Sequence, residues 1–128
     1  MDPSRLHHLP ALQYDDYRRV LQHSWVHVYW TVPFILSWSL MEALASGCCV
    51  VASDTPPVQE VITSGQEGLL VPFFEPEALA AQVDGLLADA GARQRLAAAA
   101  RRRIVDGGYD RQACLQRQLA VIEQVMAA

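Results

Sequence analysis

Within the stretch Pro33–Ala52, PFILSWSLMEALASGCCVVA, Glu42 is the only ionisable carboxylate, and two hydroxyls, Ser37 and Ser39, stand just before it. A carboxylate can accept two hydroxyl protons at once, which suits recognition of a vicinal diol. The Ser-rich segment opens a helix, and the free N–H groups and positive dipole end of a helix start can hold an anion. Ser37 and Ser39 can also cap that helix, and Ser39 with Glu42 fits a capping box, a purely local role that competes with ligand binding. Beyond the following apolar run stand Asp54, Thr55 and Glu60, at the strand end where crevice ligands lie in α/β folds. For Glu60 the simpler reading is a local structural one, and Pro56-Pro57 shape the turn.

The elements that must position these groups alternate in type. Leu6–Leu9 reads as a short strand ending at Pro10, and Tyr14–His23 as a helix with Tyr17, Val20 and Leu21 on one face. Trp25–Trp30 is β-branched and aromatic, hence a strand. Ser37–Ser46 reads as a helix stopped by Gly47 in a left-handed C′ conformation. Cys48–Ala52 is a continuous apolar run, as expected of a strand buried on both faces of a parallel sheet. Val58–Thr63 is a short helical segment, and Gly68–Val71 a further strand. Glu75–Asp89 has Leu79, Val83, Leu86 and Leu87 at helical spacing; Gly91 separates it from a helix over Arg93–Val105. Gly107-Gly108 breaks the chain again, and Asp110 caps a last helix to Met126. The order β-α-β-α-β-β-α-α-α predicts an α/β, three-layer domain with a short parallel sheet and C-terminal helices.

Composition narrows the field. A chain of 128 residues is one domain's worth, and 52% apolar residues make it globular. A net charge of −4 argues against electrostatic capture of nucleic acid or anionic lipid. All ten basic residues are Arg, so no lysine is available for phosphate neutralisation or Schiff-base chemistry. Cys48 and Cys49 are adjacent on a strand and cannot readily join each other; with Cys114 they suggest a reducing, cytoplasmic setting. No apolar run is long enough to span a membrane, and MDPSRLHHLP lacks an apolar signal core. His7-His8 diverge on an extended segment, and no second Cys/His pair stands at zinc spacing, so no metal site is expected. Trp25, Trp30, Trp38 and Phe73-Phe74 read as core and interface fillers, and Arg101-Arg102-Arg103 as a solvated helix face.

The run SLMEALASGCCVVASDTPPVQEVITSGQEGLLVPFFEPEALA resembles the C-terminal domain of family 4 nucleotide-sugar glycosyltransferases, the retaining GT-B group. Those enzymes carry an EAMA-G-PVVAS-…-PE-…-G-GLLV-…-LA pattern there, and PFILSWSLMEA is similar to a subgroup with PFVLSWSLLEA. The resemblance extends from about Leu12 to Ala81. It implies a Rossmann-like GT-B donor domain, present here in part. The sheet would occupy about 6–72 and the closing helices about 75–127, with all of 1–128 forming one donor-nucleotide-binding unit.

It also implies that Glu42, the second glutamate of an E-x7-E motif, bonds the ribose hydroxyls. Ser37, Trp38 and Ser39 would lie where backbone amides approach the sugar and diphosphate. The first motif glutamate would fall at residue 34, which is Phe34, and phenylalanine accepts no hydroxyl proton. The implied substrate is a UDP- or GDP-linked sugar, with no separate cofactor. An Arg/Lys pair that neutralises the leaving diphosphate in the family precedes the matched stretch, so the 128 residues alone are expected not to catalyse transfer. The implied partners are the acceptor domain and, over the exposed sheet edge, another copy or another chain. The competing expectation is a non-catalytic folding or assembly module that keeps only the architecture.

Overall fold

The computed structural model describes residues 3–127. After a 3-10 turn at Pro3–Arg5, the chain runs through α1 (Tyr14–His23), β1 (His27–Tyr29), α2 (Trp38–Ser46) and β2 (Val50–Ser53). It continues through α3 (Pro56–Gln59), β3 (Leu69–Val71), α4 (Pro76–Ala88), α5 (Ala90–Asp106) and α6 (Arg111–Met126). The three strands form one parallel sheet in the order β1-β2-β3, with Val28 beside Val51 and Val51 beside Leu69. Every residue of β2 is buried, as its uninterrupted apolar sequence requires of a central parallel strand.

Side chains of β2 alternate between two cores. Val50 and Ala52 face Leu21 of α1, Leu40, Ala43 and Leu44 of α2, and Ala100 and Ile104 of α5. Cys49, just before the strand, and Val51 face Val71, Leu86 of α4 and Leu96 of α5. The predicted three layers are therefore present, with α4 covering β2 and β3 on the second face. On that face Val26 and Trp30, flanking β1, pack against the same cluster and Arg93 of α5 lies over the Trp25 ring at 4.7 Å, while Val28 of β1 is exposed. Gly47 and Gly68 are required by geometry. Gly47 closes α2 at φ 81°, a left-handed turn that side chains disfavour. At Gly68 a Cβ would lie 2.8 Å from the Val50 carbonyl oxygen.

Four sequence expectations fail for physical reasons. Leu6–Leu9 forms no strand; no neighbouring strand offers it a ladder, and its side chains stay exposed. The sheet therefore has three strands rather than four. The short helix after β2 starts at Pro56, whose fixed φ suits a first turn, and it ends by Gln59 rather than Thr63. Gly91 does not separate α4 from α5. Asp89 does, ending the first and capping the second by accepting from the Ala92 amide at 2.8 Å. Of the aromatic residues expected in the core or at an interface, Trp25, Trp38 and Phe74 are exposed and so fill no core here.

Two of the three arginines at 101–103 do more than form a solvated face. Arg101 donates to the Ala45 carbonyl at 3.3 Å and Arg103 to the Glu60 carbonyl at 3.4 Å, tying α5 to α2 and α3. Asp110 caps α6 as expected, accepting from the Gln112 and Ala113 amides.

The thiols give a simple test of this packing. Cys48 donates to the Leu21 carbonyl at 3.1 Å, and burial pushes its pKa up to about 11. Burial raises Cys49 as well, whereas Cys114 is exposed. The thiolate is the reactive form, so an alkylating reagent at about pH 8 should label one thiol quickly in the native protein and three after denaturation. Labelling of Cys48 at the rate of Cys114 would contradict a buried β2.

Candidate functional site

The site forms where β1 ends and α2 begins. Ser53 at the end of β2 fixes the loop leaving β1: its Oγ donates to the Thr31 carbonyl at 2.7 Å and accepts from the Thr31 amide at 3.0 Å. Ser53 is fully buried and Thr31 half-buried, so this pair of hydrogen bonds is partly shielded from water. The sequence reading passed over Ser53, although a hydroxyl directly after an apolar strand is the natural tether for a neighbouring loop.

The loop then delivers Ser37 as the N-cap of α2. Its Oγ accepts from the Ser39 amide at 3.2 Å and lies 2.8 Å from the Ser39 Oγ. Two hydroxyls sharing one hydrogen bond leave one O–H proton for another acceptor. The Ser39 amide is spent on the cap, while the Trp38 amide has no hydrogen-bond partner among the described residues. The helix therefore begins with one free N–H and one free O–H at its positive end.

The position of the cap decides the status of Glu42. With Ser37 at N-cap, the N3 residue is Leu40 and Glu42 lies two residues further along. The Ser39–Glu42 capping box is therefore absent, and the local role that competed for this carboxylate falls away. Glu42 is half-buried rather than buried. It faces Tyr17 of α1, whose phenol is raised above its usual pKa first by burial and then by the charge of Glu42 and a hydrogen bond to it.

Two open hollows flank the start of α2, with Leu36 and Trp38 as their common wall. One, of about 470 Å³, holds Glu42 among Tyr14, Met41, Ile104 and Tyr109. The other, of about 570 Å³, holds Ser37 among Tyr29, Trp30, Thr31 and Phe34. The structure thus brings together three of the four predicted residues, with Ser37 and Trp38 at the helix start and Glu42 beside them. Ser39 acts inward, through the cap. Tyr14, Tyr17 and Tyr109 around Glu42 were not singled out from the sequence: the first two read equally well as packing on a helix face, and Tyr109 lies in the break between α5 and α6, far from Glu42 in sequence. Arg18 of α1 and Arg101 of α5 line a third, smaller hollow on the far side of Glu42.

Asp54, at the end of β2, accepts from the Gln59 side chain at 2.6 Å, and Glu60 is exposed at the end of α3, so both serve or border the local turn. Thr55 Oγ1 is buried with no hydrogen-bond partner among the described residues. No cluster of three or more His, Cys, Asp or Glu that could hold a metal occurs among the described residues. No helix there is long and apolar enough to cross a membrane.

This arrangement matches known proteins over most of its length. Residues 5–103 match the family described as glycosyl transferases group 1. The chain belongs to that family. A phosphatidyl-myo-inositol mannosyltransferase from Mycolicibacterium smegmatis is 38% identical over 65 residues, which is 51% of this chain and 17% of that protein. Among solved structures, a sucrose-phosphate synthase from Thermosynechococcus elongatus superposes with a TM-score of 0.89 at 22% identity, covering 97% of this chain and 31% of that one. Anabaena HepE, solved in complex with UDP-glucose, superposes with a TM-score of 0.71 at 19% identity, covering 86% of this chain and 29% of its own. At these identities the superpositions establish the fold, the Rossmann-like GT-B architecture that the sequence implied. The chain spans less than a third of the length of each of these proteins.

Proposed function

We propose that residues 1–128 form part of the donor-binding domain of a glycosyltransferase that moves a sugar from a UDP- or GDP-linked donor to an acceptor, with retention at the anomeric carbon. The observation that carries this reading is the release of Glu42 from any capping duty, beside a helix start with an unpartnered amide. In this reading Glu42 accepts the two ribose hydroxyls in the tyrosine-lined hollow. The Trp38 amide and the free hydroxyl proton of the Ser37–Ser39 pair meet the diphosphate, as helix N-termini meet phosphates elsewhere. The sugar then extends into the hollow on the other side of Trp38. HepE, of the same fold, was solved with UDP-glucose, which supports a nucleotide sugar as the ligand class.

The chemistry present binds and orients, and no side chain around these two hollows supplies a cation to a leaving diphosphate. Transfer in this reading therefore needs the remainder of a protein the length of the relatives, working in the reducing cytoplasm that the unpaired buried thiols favour. Titration with UDP, GDP and their sugars tests the proposal. Micromolar to millimolar binding at the Glu42 site supports it, and absence of binding to any of them would favour the assembly module.

The free edge of the sheet at β1 fits a partner as well. Leu9, Leu12, Val20 and Trp25 are exposed around that edge, and a parallel sheet edge with an open face is a pairing hazard in water. A second copy or another part of the enzyme covers it in this reading. Mass measurement in solution is expected to show self-association at micromolar concentration; a stable monomer would count against a second copy.

A further inference from the structure

Leu40, Ala43 and Leu44 turn α2 towards the sheet, and Glu42 lies half-buried on its flank, where α1 packs against it. From α1 come Tyr14 and Tyr17, three residues apart and so on one face, with ring centroids 6.4 Å apart. Tyr14 is exposed and walls two of the hollows beside Glu42. Tyr17 lies deeper. Its ring packs against the core cluster of Leu21, Leu40 and Leu44 and also walls an apolar hollow with Leu9 and Leu12. Its hydroxyl donates to the Glu42 carboxylate from a ring that packing already holds in place.

The nearby cations serve other partners. Arg18 pairs with Asp15 at 3.3 Å, and Arg101 donates to the Ala45 carbonyl at 3.3 Å. Neither forms a salt bridge with Glu42. The difference matters for a carboxylate that must receive a diol. A guanidinium grips both carboxylate oxygens at once and competes with hydroxyls for them. A phenol takes one of about four lone-pair sites and leaves the others open to two ribose hydroxyls.

We infer that Tyr17 is a positioning residue for nucleotide binding: its hydroxyl holds the Glu42 carboxylate in the orientation that receives the ribose diol, without itself touching the nucleotide. Tyr17 is absent from the walls of the hollow that Glu42 faces, so it acts through the carboxylate alone. The inference rests on the donor reading above, since the orientation of Glu42 matters only if a ribose meets it. A glutamate left unheld must give up its rotamer freedom each time a ligand binds, which lowers affinity by about fivefold.

Tyr17→Phe tests this, because it deletes one O–H and keeps the packed ring; the variant should retain the parent circular dichroism. Titrations of the 128-residue chain followed by NMR compare UDP and GDP with the 2′,3′-dideoxy diphosphates of the same bases, which carry no diol. Tyr17→Phe should weaken UDP or GDP by about fivefold. It should change affinity for the dideoxy diphosphate by less than about twofold, since that ligand makes no use of Glu42. In a Glu42→Ala background the same substitution should leave UDP affinity unchanged, as expected of two residues that act as one. Equal losses for the ribose and dideoxyribose ligands would mark a general loosening of the α1–α2 seam and overturn the inference. Parent-like UDP and GDP affinity in Tyr17→Phe, or a full additional loss in the Glu42→Ala background, overturns it as well. These results leave the donor reading intact, whereas failure of UDP and GDP to bind the parent chain overturns both.

Discussion

Glu42→Ala is expected to weaken binding of UDP or GDP by about a hundredfold while leaving the unfolding midpoint close to that of the parent chain. Hydrogen bonds to a charged group are worth about 1.5–3 kcal/mol each, so losing a carboxylate that accepts two hydroxyls removes about 3 kcal/mol of binding. Stability should fall by no more than about 1 kcal/mol, because the residue is half-buried, makes no salt bridge among the described residues, takes no part in the Ser37 cap and gives up only its interaction with the Tyr17 phenol. Glu42→Gln keeps one carbonyl acceptor and should fall between the two.

A spectroscopic control separates loss of the carboxylate from collapse of the hollow. The charge of Glu42 and its hydrogen bond help hold the Tyr17 phenol above 10.0. In the alanine variant, phenolate absorbance at this tyrosine should appear at lower pH than in the parent, moving back towards its usual value while burial keeps part of the shift. Parent-like nucleotide affinity in Glu42→Ala, with that tyrosine shift observed, would remove Glu42 from the site and favour a module that keeps the family's architecture alone.

The legible parts of this molecule are those in which one local rule acts without competition. The apolar run around Cys48–Ala52 could only be a doubly buried strand, and Gly47 could only end the helix before it. Asp110 had no rival as the α6 cap. The site was harder to read because Ser37 and Ser39 satisfy the same capping rule two residues apart. The helix was read from Ser37 with either serine open as its cap and Ser39 fitting a capping box with Glu42; in the fold Ser37 is the cap, because that hydroxyl can take both the Ser39 amide and its side-chain hydroxyl. Which of the two serines caps the helix decides whether Glu42 is a cap partner or a carboxylate facing the tyrosine-lined hollow, so the functional reading hinged on a boundary that sequence patterns define poorly.

The aromatic residues were misplaced for a related reason. Hydrophobicity tells that Trp38 and Phe74 prefer burial but not whether any surface is there to bury them. Trp38 at the first helical position points away from the sheet, and Phe74 follows the last strand into solvent. Leu6–Leu9 has strand composition, yet a strand exists only by pairing, which is a tertiary fact.

The largest effect on stability is expected from Leu40→Ala. Leu40 is the N3 residue of α2 and is 0% exposed, packed in the core cluster that contains Leu21, Val50, Ala52 and Ile62. Truncating such a leucine costs about 3 kcal/mol, the lost transfer energy plus the cavity that neighbours cannot fill. Against a typical total of about 5–15 kcal/mol, that is a large fraction of the whole. Urea unfolding should show a lower midpoint with an unchanged slope, since the surface exposed on unfolding barely alters. Leu119→Ala makes the opposite expectation from the same side-chain change: that leucine is half exposed on α6, a helix with no buried residue, and should cost less than about 0.5 kcal/mol.

Leu40 is also the residue that seats the capped first turn of α2 on the sheet. Nucleotide affinity in Leu40→Ala should therefore fall even under conditions where the variant remains folded, because the Trp38 amide and Glu42 are held by the helix that Leu40 docks. A loss of stability in Leu40→Ala no larger than in Leu119→Ala would mean that α2 is not packed against β2. The geometry of the candidate site would then have no anchor.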